Sequence, residues 1–197
     1  MKYDEFQQII SASRMDRYFK ACDYDSRKAM VLYRLNLRLS QELFTVISFF
    51  EVALRNAIDR FYTEKFGTDW LRAFAAKNGT FDNQYCVTTK KSINDAIIKL
   101  DSNYTHGKVV AELGFGFWRY LFSKHQYRVA GQTLIKVFPS LPKSNQVLKY
   151  NAKFIFNELA KINKIRNRIA HHEAVCFRPT LAVKCTTFAR NHYNHNI

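Results

Sequence analysis

The chain has 197 residues, of which 47% are hydrophobic and 15% aromatic, and this composition excludes an intrinsically disordered protein. Its 31 Lys and Arg residues outnumber 16 Asp and Glu residues, and the resulting net charge of +15 favours a polyanionic partner, above all nucleic acid. Because the basic residues are spread along the chain and not gathered in one amphipathic arm, an anionic membrane surface is the less favoured partner.

Apolar residues recur with helical spacing along the chain, and only six Gly and three Pro interrupt them. We therefore predict an all-α fold in one domain over residues 1–197, with a core at about residues 25–178 and short helical extensions at both ends. The first residues lack the pattern of a secretory signal, and the longest uncharged apolar run is too short to cross a bilayer. A cytoplasmic protein with no membrane segment is expected.

The first long helix is predicted to begin at about residue 26, capped by Asp25 or Ser26, and to end at Gly67. Because so long a helix is uncommon, we expect a break near residues 39–41. Residues 67–84 have the composition of a loop, and the next helix continues to about residue 101.

Thr105 is the predicted cap of a helix that includes LGFGFWRYLF (113–122). The two glycines in this segment indicate close helix packing or a local bend. Its aromatic residues recur at core spacing, which favours a packing role over a base-stacking platform, although aromatic rings can stack on unpaired bases. A short helix is expected over residues 125–137.

The last long helix is predicted from about Ser144 to His172, and a final short helix over about residues 180–193. The four cysteines lack the spacing of a metal site or of a disulfide framework, so free thiols are the default expectation. A zinc site built from HYNH (192–195) with Cys176 and Cys185 matches no standard ligand set. No metal and no cofactor are predicted.

The segment KIRNRIAHHEAV (164–175) places cationic, amide and imidazole groups near the end of the last long helix. On a helical projection, isoleucines form the core-facing stripe: Ile155, Ile162, Ile165 and Ile169. Asn163, Asn167 and Ala170 lie roughly opposite, and Arg166 and His171 are predicted to bracket the polar groove between them. An adjoining basic stripe consists of Lys161, Lys164 and Arg168.

Two interpretations of this cluster remain open. Arg and His in a last helical turn complement the helix dipole, and a lysine stripe is usually a solvated face. Asn163 and Asn167, however, are poor residues for a helix interior and are best tolerated when their amides have a function. Cleavage of RNA by its own 2′-OH requires a base, an acid and a cation, which histidine and arginine can supply without a metal. A second histidine would come from His172 or from a partner chain.

IRNRIAHHE (165–173) resembles the signature of the HEPN superfamily of RNases, in which a histidine follows an arginine at a short spacing. Together with FFEVALRNAIDRFY (49–62), DW (69–70) and LGFGFWRYLF (113–122), it resembles the Abi-like abortive-infection proteins of bacteria. The resemblance covers about residues 25–178, with the segments in the same order.

The resemblance implies a HEPN-type helical bundle that forms a symmetric dimer with the two motifs facing each other. It implies that Arg166 and His171 are the catalytic pair, with Asn167 as the polar residue after the arginine. His172 and Glu173 match an extension of the motif. The implied function is a metal-independent endoribonuclease in phage defence, of toxin type, and a cognate antitoxin or other regulator is a further expected partner.

Glu51 and Arg55 are spaced to form an ion pair along their own helix. The alternative is that they pack beside the motif helix and orient Arg166 or Asn167, because an isolated carboxylate in an apolar run is costly. Glu158 falls within the isoleucine stripe and needs a cationic partner, for which Arg55 is a candidate.

Two other functions are compatible with the sequence. The first is an RNA- or nucleotide-binding helical dimer that grips phosphate without cutting it, which would show salt-dependent binding and leave RNA intact. The second is a structural or regulatory scaffold that needs a partner protein, which would not bind nucleic acid even at low salt.

Overall fold

The computed structural model describes residues 2–177, and every regular element in this part of the chain is helical. The α-helices are α1 (Tyr3–Ile10), α2 (Ala12–Ala21), α3 (Ser26–Phe66), α4 (Trp70–Ala75), α5 (Val87–Leu100), α6 (His106–Glu112), α7 (Phe115–Tyr120), α8 (Lys124–Val129) and α9 (Ala152–Ala170). Two short 3-10 helices span Asp101–Asn103 and Leu134–Val137. The all-α prediction is confirmed for these residues, whereas the helix predicted over 180–193 lies outside them.

The longest element is α3, a continuous helix of 41 residues. The Asp25 side chain accepts a hydrogen bond from Lys28 N at 3.0 Å, which caps the helix start as predicted. Gly67 ends the helix with a positive φ of 96°, a conformation that glycine adopts at little cost. The break predicted near residues 39–41 is wrong. The first half of α3 packs in one core and the second half in another, and this packing stabilises one continuous helix.

The main core surrounds the second half of α3 and is closed by α4 to α9. Its largest completely buried side chains are aromatic and include Tyr62, Trp70, Phe81, Trp118 and Phe122. The α9 helix runs antiparallel to α3, since Arg166 lies beside Glu51 whereas the later Val175 lies beside Asn36. The isoleucine stripe of α9 faces this core: Ile155, Ile162 and Ile165 are buried and Ile169 is partly buried.

A second, smaller core lies on the first half of α3. It contains Phe6 of α1, Met15 and Tyr18 of α2, and Ala29 and Tyr33 of α3. The segment after α9 packs on it through Ala174, Cys176 and Phe177. The buried Asn36 side chain accepts hydrogen bonds from Val175 N at 2.9 Å and Cys176 N at 3.1 Å. These contacts fix the end of α9 relative to α2 and α3.

The segment between Thr105 and residue 122, predicted as one helix with close packing or a local bend at its glycines, forms two helices that are separated at Leu113 and Gly114. Thr105 caps α6 by accepting a hydrogen bond from Lys108 N at 3.2 Å. The helix ends at Glu112, and Trp118 Nε1 donates to the backbone oxygen of the next residue, Leu113, at 2.9 Å. This hydrogen bond gives a partner to a carbonyl group that the end of α6 would otherwise leave unpaired.

Three predicted boundaries differ from the structure. The segment predicted as loop at 67–84 contains α4, and the helix predicted over 125–137 consists of α8 and a 3-10 turn. The last helix begins at Ala152 and not near Ser144. In residues 144–151, side chains of Ser144 and Asn145 accept hydrogen bonds from nearby backbone N–H groups, which competes with helix formation.

Cys22, Cys86 and Cys176 are free thiols, and Cys185 lies outside the described residues, as does HYNH. Within residues 2–177, no group of three or more His, Cys, Asp or Glu side chains is arranged to hold a metal ion. None of the helices in this part of the chain combines the length and the apolar character that crossing a bilayer requires.

Candidate functional site

The predicted motif occupies the last turns of α9 and the sharp turn that follows. Two backbone hydrogen bonds close the turn: His172 N donates to Ile169 O at 3.0 Å, and Glu173 N donates to Arg168 O at 2.8 Å. His172 adopts the left-handed conformation, with φ of 54°, at the position where glycine is usual. A non-glycine residue is strained in this conformation. The turn places His171 and His172 where the chain reverses its direction.

Contacts from distant parts of the chain hold this turn in place. Arg14 Nη1 of α2 donates to His172 O at 3.1 Å. Arg168 Nε lies 3.3 Å from Glu173 Oε2, and Arg168 Nη2 donates to Ala174 O. The Arg168 side chain is only 11% exposed, so this member of the predicted basic stripe holds the turn as well as carrying charge.

The imidazoles of His171 and His172 are exposed. Within residues 2–177, neither side chain has a hydrogen bond or ion-pair partner. Both rings are therefore accessible to a ligand and keep both nitrogens available for proton transfer.

Arg166 points toward α3. Arg166 Nε lies 3.7 Å from Glu51 Oε2, which is an ion-pair distance but too long for a hydrogen bond. The nitrogen itself is buried and makes no hydrogen bond among the described residues, and the side chain is 38% exposed. The carboxylate orients the guanidinium and leaves hydrogen-bond donors unsatisfied, which is the condition of a cation available to a second anion.

The other predicted ion pairs of this region are not present among residues 2–177. Glu51 pairs with Arg166 and not with Arg55. Glu158 is paired with Lys161, its neighbour one turn later, at 2.5 Å and not with Arg55. Arg55 is partly buried, and its Nε has no hydrogen bond in the described structure.

Next to the motif, a groove of about 610 Å³ opens between α2, α7 and α9. Its lining consists of Arg17, Arg119, Ala160, Asn163, Lys164, Asn167, Arg168 and Glu173. The predicted polar residues Asn163 and Asn167 therefore share one surface with Lys164 and Arg168. Arg166 and His171, which were predicted to bracket this surface, are not part of its lining; Arg166 lies on the α3 side of α9.

Two cationic groove residues were not predicted from the sequence. Arg17 comes from α2, where its guanidinium carbon lies 4.3 Å from the centre of the Phe177 ring. Arg119 comes from α7, with its guanidinium carbon 4.6 Å from the ring centres of Tyr120 and Phe156. Arg119 lies within LGFGFWRYLF (113–122), to which a packing role was assigned. For Arg17 the only sequence signal was the overall excess of positive charge, because it is far from the motif along the chain.

Another histidine, His106, lies away from α9 and is surrounded by acidic groups. His106 Nε2, at the start of α6, lies 2.7 Å from Asp59 Oδ1, and His106 Nδ1 lies 3.5 Å from Asp69 Oδ1. Trp70 Nε1 also donates to Asp59 Oδ1 at 2.8 Å, and Tyr104 OH donates to Asp69. This cluster ties α3, α4 and α6 together.

The pKa values in this cluster shift toward the charged pair. The hydrogen bond to Asp59 raises the pKa of His106, although burial opposes the shift. Burial disfavours the ionised form of Asp59, but hydrogen bonds from His106 and Trp70 outweigh burial and lower the pKa of this carboxyl. Burial and the hydrogen bond to Asp69 raise the pKa of Tyr104 to about 12. The arrangement is therefore a structural ion pair between His106 and Asp59, while the buried His106 Nδ1 lies near Asp69 without a hydrogen bond among the described residues.

Comparison with known proteins gives one finding. A family model described as Abi-like protein matches residues 2–176. No curated protein and no solved structure gives a significant match to the chain.

Proposed function

The chain belongs to the Abi-like family, and from this premise we propose that it is a metal-independent endoribonuclease of HEPN type that acts in abortive infection. The observation that carries the proposal is the end of α9, where an exposed His171 without a partner follows an Arg166 that is held by Glu51 but not saturated. The net charge of +15 supports an RNA substrate.

Each residue has a role in cleavage by the 2′-OH. His171 transfers a proton, either from the attacking 2′-OH or to the departing 5′-oxygen. Arg166 binds the phosphate and stabilises the negative charge that grows in the transition state. Asn167 supplies an amide for a phosphate oxygen or a ribose hydroxyl, and Glu51 positions Arg166. His172 is the one other imidazole of the motif in the same chain, and it is the alternative to a partner's histidine for the second proton transfer.

The proposed site is completed by a second copy of the chain, because one His171 does not serve easily as both acid and base. Exposed apolar side chains near the motif support this. Phe44 lies two turns before Glu51 on the same face of α3 and is 45% exposed, and Val52 is 44% exposed. Exposed apolar surface of this kind is typical of protein–protein contacts, and a two-fold dimer would bring two copies of the motif together.

The decisive experiment is cleavage of RNA in the presence of EDTA, with the product ends mapped. Wild type is expected to leave a 2′,3′-cyclic phosphate or its hydrolysis product. His171→Ala is expected to cut more slowly by a factor on the order of 10² to 10⁴. The matched control is His125→Ala, which removes an exposed histidine of α8 whose ring stacks on Tyr85. This variant should keep full activity. Persistent cleavage by His171→Ala would contradict the proposal.

Mixing experiments test whether two copies share one site. Equal amounts of wild type and His171→Ala, allowed to exchange subunits, should retain about a quarter of the wild-type activity if both histidines are needed in each dimer. Half of the activity would remain if each copy worked alone. Sedimentation of the wild-type protein gives the oligomeric state independently.

An RNA- or nucleotide-binding dimer without catalytic activity is the alternative. The observation in its favour is the cationic groove, which can bind phosphate whether or not the backbone is cut. Salt-dependent binding by the wild type, together with intact RNA after long incubation, would favour this alternative over the ribonuclease.

A further inference from the structure

We infer that the groove between α2, α7 and α9 binds the phosphodiester backbone of single-stranded RNA beside the cleavage site, with Arg17 and Arg119 as phosphate-binding residues. The inference rests on the proposed function, because it places the substrate of that function on a surface outside the predicted motif. It assigns binding roles to two residues from helices that the motif does not include.

Charge is the first argument. Among residues 2–177, four cationic side chains line the groove, and Glu173 is its only acidic lining residue. Glu173 is paired with Arg168. Among the described residues, Arg17, Arg119 and Lys164 have no carboxylate within ion-pair distance. Three like charges converge without compensation, and an anion that binds there relieves their repulsion.

The orientation of the two arginines is the second argument. Arg119 packs against the rings of Tyr120 and Phe156, and its buried Nε makes no hydrogen bond in the described structure. Arg17 packs against Phe177 in the same manner. Aromatic contacts restrict a guanidinium and leave its terminal N–H groups for a ligand, so less conformational entropy is lost when phosphate binds.

Position and size give the third argument. Asn167 lies in the groove lining, and its backbone oxygen accepts the hydrogen bond from His171 N at 2.9 Å. His171 therefore follows a groove residue by one helical turn, which places it next to the groove along α9. A volume of about 610 Å³ is suited to a ligand the size of one or two nucleotides. Attack by a 2′-OH in line with the leaving oxygen requires a flexible backbone, which favours a single strand over a duplex.

The test is binding of a fluorescein-labelled 12-nucleotide single-stranded RNA, measured by anisotropy at several salt concentrations. All proteins carry His171→Ala so that the RNA stays intact. Arg17→Gln and Arg119→Gln should each weaken binding about tenfold and reduce the slope of log K against log salt by about 0.7. Arg17→Lys and Arg119→Lys should retain most of the slope, since they retain the charge.

Arg60→Gln is the matched control, because it removes one exposed positive charge from α3, a helix that contributes no residue to the groove lining. Its affinity should change less than twofold. Groove variants that behave like Arg60→Gln would overturn the inference. If Arg119→Gln fails to fold, Arg17→Gln and Arg119→Lys still test whether the groove binds RNA. A duplex of the same sequence is the second probe, and equal effects on both probes would overturn the assignment to single strands.

The two proposals fail in different ways. If the wild type does not cleave RNA but Arg17→Gln and Arg119→Gln lose affinity and salt slope, the ribonuclease is excluded and the groove assignment stands. A different result is that His171→Ala slows cleavage as expected, while Arg17→Gln and Arg119→Gln change neither RNA binding in the His171→Ala background nor cleavage in an otherwise wild-type chain. The ribonuclease then stands and the RNA backbone takes another path.

Discussion

The histidines at the end of α9 and the histidine at the start of α6 lie in opposite chemical surroundings. His106 lies between two carboxylates, is only 17% exposed, and joins three helices. His171 and His172 are exposed, and no carboxylate within residues 2–177 pairs with either ring. Two acidic residues of this region form ion pairs with arginines: Glu173 with Arg168, and Glu51 with Arg166.

This difference separates a structural histidine from one that is available for chemistry. An imidazole held between aspartates stabilises the fold because its charged form is favoured in the native state. An exposed imidazole without a protein partner contributes little to stability and remains accessible to a ligand. Each of the following substitutions acts on one side of this contrast.

The largest expected effect on stability comes from His106→Ala. The substitution leaves the partly buried Asp59 without its charged partner and should lower the free energy of unfolding by about 3 kcal/mol. His171→Ala should change it by less than about 0.5 kcal/mol, as for an exposed position. Urea denaturation measures both. Equal stabilities for the two variants would remove the contrast.

A smaller loss of stability, about 2 kcal/mol, is expected from Asn36→Ala. This buried side chain accepts hydrogen bonds from Val175 N and Cys176 N, and its removal leaves both N–H groups without a partner. Thermal unfolding compares it with Asn56→Ala, an exposed asparagine on the same helix. A matching melting temperature for these two variants would mean that Asn36 does not fix the turn after α9.

The contribution of His106 should depend on pH. Because the pKa of His106 is raised in the fold, its contribution is complete below its ordinary value of 6.5 and declines as pH rises through the folded pKa. Because the pKa of Asp59 is lowered, the contribution of this carboxylate is lost as pH falls below 3.8. The stability difference between wild type and His106→Ala should be largest between about pH 4 and 6.5 and smaller at pH 9. A difference that grows with pH would contradict the charged pair.

The smallest expected effect is that of Glu51→Gln. At 3.7 Å and with partly exposed side chains, its pair with Arg166 should contribute less than about 0.5 kcal/mol to stability. Cleavage should slow by about threefold, because Arg166 loses the carboxylate that orients it. Glu42→Gln, an exposed glutamate on α3, is the control and should cleave at the wild-type rate. A loss as large as that of His171→Ala would give Glu51 a direct role and not a positioning one.

Local sequence signals predicted much of the helical framework. The caps at Asp25 and Thr105 and the stop at Gly67 depend on neighbouring residues, and the structure has all three. The glycines of LGFGFWRYLF marked the place where the chain forms two helices and not the one that was predicted. The expected break in α3 and the early start of α9 were wrong for one reason. Helix length depends on packing by distant elements, and the start of α9 depends on side-chain hydrogen bonds that periodicity does not register.

The sequence alone determined that the chain is helical and basic, and that an arginine, an asparagine and two histidines end its last described helix, because these properties follow from residue type and from spacing along one element. Only the tertiary structure decided that Arg166 meets Glu51, that Arg17 and Arg119 join Asn167 around one groove, and that His106 is held by two aspartates. These side chains come from elements far apart in the chain. Their distances are fixed by how α2, α3, α7 and α9 pack, which no local pattern encodes.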